Sequence, residues 1–219
     1  MHTPMFSLEV FPPKRDAPVG TIYDTLDGLE GLNPDFISVT YGHGTHSDRT
    51  ATARIANTIH GEYGIPAVAH LTALYSDEAK IDEALDMFEA AGVSAVLALR
   101  GDYIDGEEPV GRFNHASDLA AYIHRPQARP SRCFGACYPE GHYSAASLDE
   151  DIGNLKIKVT TGVTHLISQL FSRQRRLLPF PRQGSCGRHR RADRGGHHAR
   201  ARREVGAAHG EGQCLAHTG

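Results

Sequence analysis

No apolar run in this chain approaches the roughly 20 residues that cross a bilayer. The N-terminus also lacks the basic start and apolar core of a secretory signal. Both absences point to a soluble, cytoplasmic protein without a membrane partner. Cysteine is sparse: Cys133, Cys137, Cys186 and Cys214 among 219 residues. Their spacing fits no disulfide framework, and Cys133 and Cys137, four apart in an apparent strand, read as small buried thiols on one face rather than as a redox or metal pair. No glycine-rich fingerprint follows the first apolar strand. Pro12-Pro13-Lys14 stand there instead, which argues against an open dinucleotide-binding sheet.

Basic residues are scarce before Phe171, and acidic ones are scarce after it. Residues 1–171 hold 12 Lys and Arg against 23 Asp and Glu, a net of −11, whereas 172–219 hold 11 Arg, no Lys and three acids (Asp193, Glu204, Glu211), a net of +8. The formal charge of −3 averages these two unlike segments. The second segment has no Ile, Met or Tyr, its only β-branched residues are Val205 and Thr218, and it shows no hydrophobic period. Its arginines would suit phosphate contact, but with no lysine and no interleaved aromatics it is not read as a nucleic-acid arm. Cys186, His189, His197, His198 and Cys214 match no zinc spacing, so no metal is expected.

Up to Phe171, short apolar runs alternate with helical spacings. Strands are expected at 6–11, 36–41, 66–71, 95–99, 132–138 and 164–170. Helices are expected at 21–32, 48–60, from Asp77 to Gly92, from Ser117 to Ile123, and from the cap Ser147 to about Thr161 before Gly162. The fully apolar Ala95-Val96-Leu97-Ala98-Leu99 suits a parallel strand buried on both faces. Such alternation predicts an α/β fold with a parallel sheet, preferably a (β/α)8 barrel. That barrel normally takes about 250 residues. Only about six strand–helix units fit before the break, so the barrel is expected to be incomplete.

Function in such a fold belongs at the C-terminal ends of the strands. Polar groups recur there. Glu9 lies inside the first strand, and is either a solvent-facing residue or an inward carboxyl with a raised pKa able to serve as a general acid. Thr40-Tyr41-Gly42 end the second strand, His70 the third and Arg100-Gly101-Asp102 the fourth. Tyr138 to His142 follow the fifth, and Gln169 lies near the end of the sixth. Asp151, Asn154 and Lys158 share one helix face by spacing, which is either a site wall or an ordinary solvated face.

In order and spacing these pieces resemble methylenetetrahydrofolate reductase, a flavoprotein family of one-carbon metabolism. The matching text is SLEVFPPK at 7–14, ISVTYG at 37–42, DRT at 48–50, AHLT at 69–72, ALRGD at 98–102, ASDL at 116–119, ACYPEGH at 136–142 and NLKIKV at 154–159, and it runs through Phe171. The resemblance implies a (β/α)8 barrel that binds FAD at the strand C-termini. NAD(P)H, most simply NADH, reduces the flavin, which passes hydride to 5,10-methylenetetrahydrofolate to give 5-methyltetrahydrofolate. By the same resemblance Glu9 is the catalytic acid, and Asp102 is a second catalytic residue close to flavin and folate. Gln169 touches folate together with Glu9 and Asp102. Thr40, Tyr41, His70, Leu99, Arg100, Gly101, Asp102, Ala136, Tyr138, His142, Asp151, Asn154 and Lys158 match flavin-contacting positions. A homo-oligomer is expected if the full barrel forms. The pattern departs at His115, where a tyrosine is usual, and at Arg125-Pro126-Gln127-Ala128-Arg129-Pro130, whose prolines cannot continue a helix.

Beyond Phe171 the family text stops. Back-translating Arg173 to Ala201 with G/C-rich codons and reading one base over permits DNDAFYRFRDKAAAAGIDVPIEAGIMPVL, which looks like the expected continuation. One inserted base near Ser172 suffices. Two segments are therefore expected: a partial reductase barrel at 1–171, and an out-of-frame or disordered tail at 172–219. The rival reading of the whole is a non-catalytic fragment that at most binds FAD or an intact paralogue.

Overall fold

The computed structural model describes residues 5–12, 20–29, 31–41, 49–125, 132–169 and 211–217. Six strands alternate with five helices. In chain order they are β1 (Met5–Val10), α1 (Gly20–Asp27), β2 (Phe36–Val39), α2 (Arg49–Gly61), β3 (Ala67–Thr72), α3 (Glu78–Ala90), β4 (Ala95–Leu99), α4 (Ala116–Ile123), β5 (Arg132–Cys137), α5 (Leu148–Thr160) and β6 (His165–Ser168). Each of β1 to β5 pairs in parallel with the next. This is the strand–helix repeat of an incomplete (β/α)8 barrel, as the alternation predicts.

A seventh strand, β7 (Glu211–His217), runs antiparallel to both β1 and β6 and closes the circle. The sequence predicts no element there, only an incomplete barrel. Instead the edges of β1 and β6 are both paired, so neither presents a row of unsatisfied backbone groups. Residues 170–210 lie outside the described residues, as do His43 to Asp48 and the segment Pro126 to Ser131.

Two apolar layers follow from the strand period of two. Leu8, Val10, Ile37, Val39, Ala69, Leu71, Val96, Ala98, Cys133, Cys137 and Leu166 pack outward against the helices, with Ile55, Ile59, Ile81, Phe88, Leu119 and Ile152. Phe36, Val68, Leu97, Phe134 and Ile167 alternate with them and form a second cluster that fills the barrel interior. The Phe36 and Phe134 rings lie 5.6 Å apart there. Each fully buried aliphatic or aromatic side chain contributes about 1.5–3 kcal/mol, so the larger outer layer supplies most of the hydrophobic stabilisation. Cys133 and Cys137 are buried thiols of that layer, and burial pushes Cys133 up to about 12.

The helix ends obey local chemistry. Asp77 accepts the Lys80 N–H at 2.8 Å and Ser147 accepts that of Glu150 at 3.1 Å, each satisfying an orphan donor of the first turn. Gly92 and Gly162, just past α3 and α5, have φ of 74° and 110°, the left-handed backbone that glycine adopts cheaply. Several expected elements come out shorter. The first helix stops at Asp27 rather than Leu32, because Gly28, Gly31 (φ 87°) and Asn33 (φ 48°) break the turn. Leu29 remains in the core, so its spacing marks packing rather than helix. The second strand ends at Val39.

Candidate active site

Strand alternation decides which polar groups enter the barrel. Leu8 and Val10 face the helices, so Glu9 between them faces inward. Ala69 and Leu71 do the same for His70. The solvent-facing alternative for Glu9 is thereby removed: it is 5 % exposed and His70 is 6 % exposed. Their side chains meet across β2, with His70 Nε2 3.3 Å from Glu9 Oε2. The approach is close but not aligned as a hydrogen bond, and His70 Nε2 has no hydrogen-bond partner among the described residues. Burial pulls His70 down to about 3. The imidazole is therefore neutral at ordinary pH, and the contact joins a neutral ring and a carboxyl group, not a cation and an anion.

Leu99 packs on the interior cluster, and Ala136 follows Phe134 on the same face of β5. Gln169 follows β6, where its exposed residue is anchored by its backbone N–H, which donates to Cys137 O at 2.8 Å. Glu9, His70, Leu99, Ala136 and Gln169 thus come to one end of the barrel from five strands. Thr40 begins the turn after β2, its carbonyl accepting from Thr52 Oγ1 at 3.0 Å. Tyr41 goes elsewhere: it is buried in the helix-facing layer rather than the interior.

The turn after β4 holds Arg100, Gly101 and Asp102. Ala73 and Leu74 donate backbone hydrogen bonds to Arg100 O at 3.2 and 2.9 Å, clamping this turn to the end of β3. Gly101 has a φ of 86°, and a Cβ there would lie 3.3 Å from Thr72 Cβ. Asp102 is exposed. Arg100 makes no ion pair among the described residues. Its Nη2 donates to Tyr143 Oη at 3.0 Å and its Nε to Gly101 O at 3.1 Å.

The turn after β5 brings Tyr138 and His142 beside this cation. His142 N–H donates to Asp151 Oδ2 on α5 at 3.2 Å. Ser144 N–H donates to His142 Nδ1 at 3.1 Å, which leaves the ring proton on Nε2. Burial, then the Arg100 charge, lowers the His142 pKa. Burial, then the Asp102 and Asp151 carboxylates, pushes Tyr138 up to about 12. Arg100, Asp102, Tyr138, His142 and Asp151 therefore share one electrostatic neighbourhood. Lys158 reaches along β5 to donate to Ala136 O at 2.7 Å, and burial lowers its pKa. Asn154 lies exposed on the same helix.

Sequence reasoning missed Tyr143 and Tyr103. The first stacks on His142 with centroids 4.5 Å apart, and the second lies 5.3 Å from the Arg100 guanidinium carbon. Neither carries a periodic signal, and neither lies within the short motifs that carry the resemblance.

A family model described as methylenetetrahydrofolate reductase matches residues 1–186. The chain belongs to the methylenetetrahydrofolate reductase family. The match runs beyond Phe171. Methylenetetrahydrofolate reductase 1 of Schizosaccharomyces pombe is 36 % identical over 171 residues, covering 76 % of this chain and 28 % of that protein. Methylenetetrahydrofolate reductase (NADH) 1 of Zea mays is 34 % identical over 182 residues, covering 76 % and 30 %. The 5,10-methylenetetrahydrofolate reductase of Pectobacterium carotovorum is 32 % identical over 166 residues, covering 75 % and 54 %. The chain spans about half the length of the bacterial relative and less than a third of the eukaryotic ones. These relatives are all named as reductases. No helix among the described residues is long and apolar enough to cross a membrane.

Proposed function

We propose that residues 1–171 form the cofactor-holding part of an enzyme that reduces 5,10-methylenetetrahydrofolate to 5-methyltetrahydrofolate, with FAD as resident cofactor and NAD(P)H, most simply NADH, as donor. The observation that carries this reading is the buried Glu9 carboxyl beside the neutral His70 ring, at the same barrel end as the cations Arg100 and Lys158. The donor set fits a dinucleotide. Arg100, without a carboxylate partner among the described residues, and His142, with its proton on Nε2, suit a diphosphate. The half-buried Leu99 and Ala136 leave apolar wall for a planar ring, and His70 offers a buried nitrogen with no hydrogen-bond partner among the described residues. When bound, FAD supplies the two-electron relay between donor and folate.

The chain's own residues supply the rest. Opening the methylene bridge of the folate breaks a carbon–nitrogen bond, and the departing nitrogen needs a proton. Glu9 holds that proton on its carboxyl, screened from water by the strands around it. The resulting iminium carbon takes the hydride, so the reduction consumes one hydride and one proton. Asp102 and Gln169 orient the pterin from the turns after β4 and β6. Arg100, His142, Asp151 and Lys158 hold the cofactor against the strand ends.

The segment 172–219 is read as out-of-frame translation of the same gene. The reversal of charge at Phe171 supports this, as does the closing strand: a (β/α)8 barrel has parallel strands throughout, whereas β7 is antiparallel to both neighbours. The folate side of the pocket then lacks its native walls, and this chain retains flavin weakly and turns over little. The same antiparallel closure favours the second reading, a non-catalytic fragment that binds FAD or an intact paralogue. The deciding experiment compares the 219-residue chain with a chain whose frame is restored near Ser172. NADH-dependent folate reduction in the restored chain, abolished by Glu9→Gln, is the expected result. A restored chain that holds no flavin overturns the proposal.

A further inference from the structure

We infer that Tyr143 is a positioning residue that latches the turns after β4 and β5 together, so that Arg100 and His142 face one anionic ligand group in a fixed arrangement. Tyr143 belongs to neither strand nor helix and is 76 % exposed, so its ring adds little to the core. It nevertheless makes two directed contacts with groups from different turns. Its hydroxyl accepts from Arg100 Nη2 at 3.0 Å, and its ring stacks on His142 at 4.5 Å with an interplanar angle of 28°. His142 also meets Tyr138, edge to face at 4.6 Å and 87°. The imidazole thus contacts two rings while Ser144 N–H fixes its tautomer.

Arginine carries a large rotamer entropy. Here its Nε is tied to Gly101 O and one terminal nitrogen to Tyr143. These ties limit the side chain's freedom before any ligand arrives, which is the preorganisation that lowers the cost of binding. The remaining guanidinium donors and His142 Nε2–H suit the diphosphate of a dinucleotide.

This inference rests on the reading that the site takes FAD, and its test separates the two. FAD affinity is measured by flavin fluorescence for the full chain and for Tyr143→Phe, Arg100→Ala and the double variant, with a thermal melt of each apo form. Tyr143→Phe keeps the stacking and loses only the hydroxyl. It should raise the Kd about three- to tenfold, the size of one hydrogen bond, without moving the melt. In the Arg100→Ala background the same change should have almost no effect, because the hydroxyl acts through the guanidinium. Equal losses in both backgrounds, or no loss in Tyr143→Phe, would overturn the latch while leaving the FAD reading intact. A frame-restored chain that binds no FAD defeats the underlying reading instead.

Discussion

Gly135→Ala is a sharp test of how Lys158 is seated. A Cβ at Gly135 would lie 2.8 Å from Lys158 Cδ and 3.0 Å from Val163 Cγ1. Distances that short do not persist, so one neighbour must move. Val163 is buried in the outer layer, which leaves the Lys158 chain to yield. Yielding breaks its hydrogen bond to Ala136 O and leaves a half-buried ammonium short of its acceptor. Overpacking of this kind costs about 1–3 kcal/mol, and an intramolecular hydrogen bond to a charged group adds about 1.5–3 kcal/mol before relaxation. A net loss of about 2–4 kcal/mol is expected, corresponding to roughly 4–16 °C in Tm for a chain of this size. Urea unfolding followed by circular dichroism reads it directly. In a Lys158→Ala background the Cδ contact is gone, so adding Gly135→Ala should cost clearly less. A Gly135→Ala chain as stable as wild type, or equal costs in the two backgrounds, would refute the argument that the lysine stem occupies the space glycine leaves.

Other expectations follow from the same geometry. His70 is held at about 3 in the fold against 6.5 when unfolded, so the unfolded chain binds the extra proton between those values. Its share of stability is therefore lost as pH falls from about 6.5 toward 3, by up to about 1.4 kcal/mol per pH unit. The urea midpoint should drop over that window, and His70→Asn should flatten the drop by about one proton; an unchanged slope contradicts a buried neutral imidazole. Glu9→Gln should leave the melt within about 1 kcal/mol of wild type, since it keeps the shape of a buried side chain, while abolishing folate reduction in the frame-restored chain by removing the acidic proton. Ending the chain at Gly210 removes β7 and bares the edges of β1 and β6. Aggregation on size-exclusion chromatography is expected, and a monomer with an unchanged melt would show that β7 contributes nothing.

The sequence made the parallel units legible because apolar residues set both layers. Ala95 to Leu99, buried on both faces, and the caps Asp77 and Ser147 were readable by type and spacing alone. Glu9 and His70 were readable as candidates, but their contact was not, since nothing local says which strand faces bring residues 61 positions apart within 3.3 Å. Tyr41 shows the reverse limit: it continues the strand text, yet the chain turns it into the helix-facing layer once β2 ends at Val39. Tyr143 was invisible because a loop tyrosine has no periodic partner. β7 was missed because Glu-Gly-Gln-Cys-Leu-Ala-His has neither β-branched residues nor alternation, and its pairing depends on two distant edges that need a partner.

The central claim is that residues 1–171 hold FAD for folate reduction and that the frame changes near Ser172. Restoring the frame and measuring bound flavin and NADH-dependent production of 5-methyltetrahydrofolate in the restored and 219-residue chains tests it most directly. The account predicts a yellow, active restored chain and a 219-residue chain with weak flavin and little turnover. Equal turnover by both chains, or a restored chain without flavin, would contradict it.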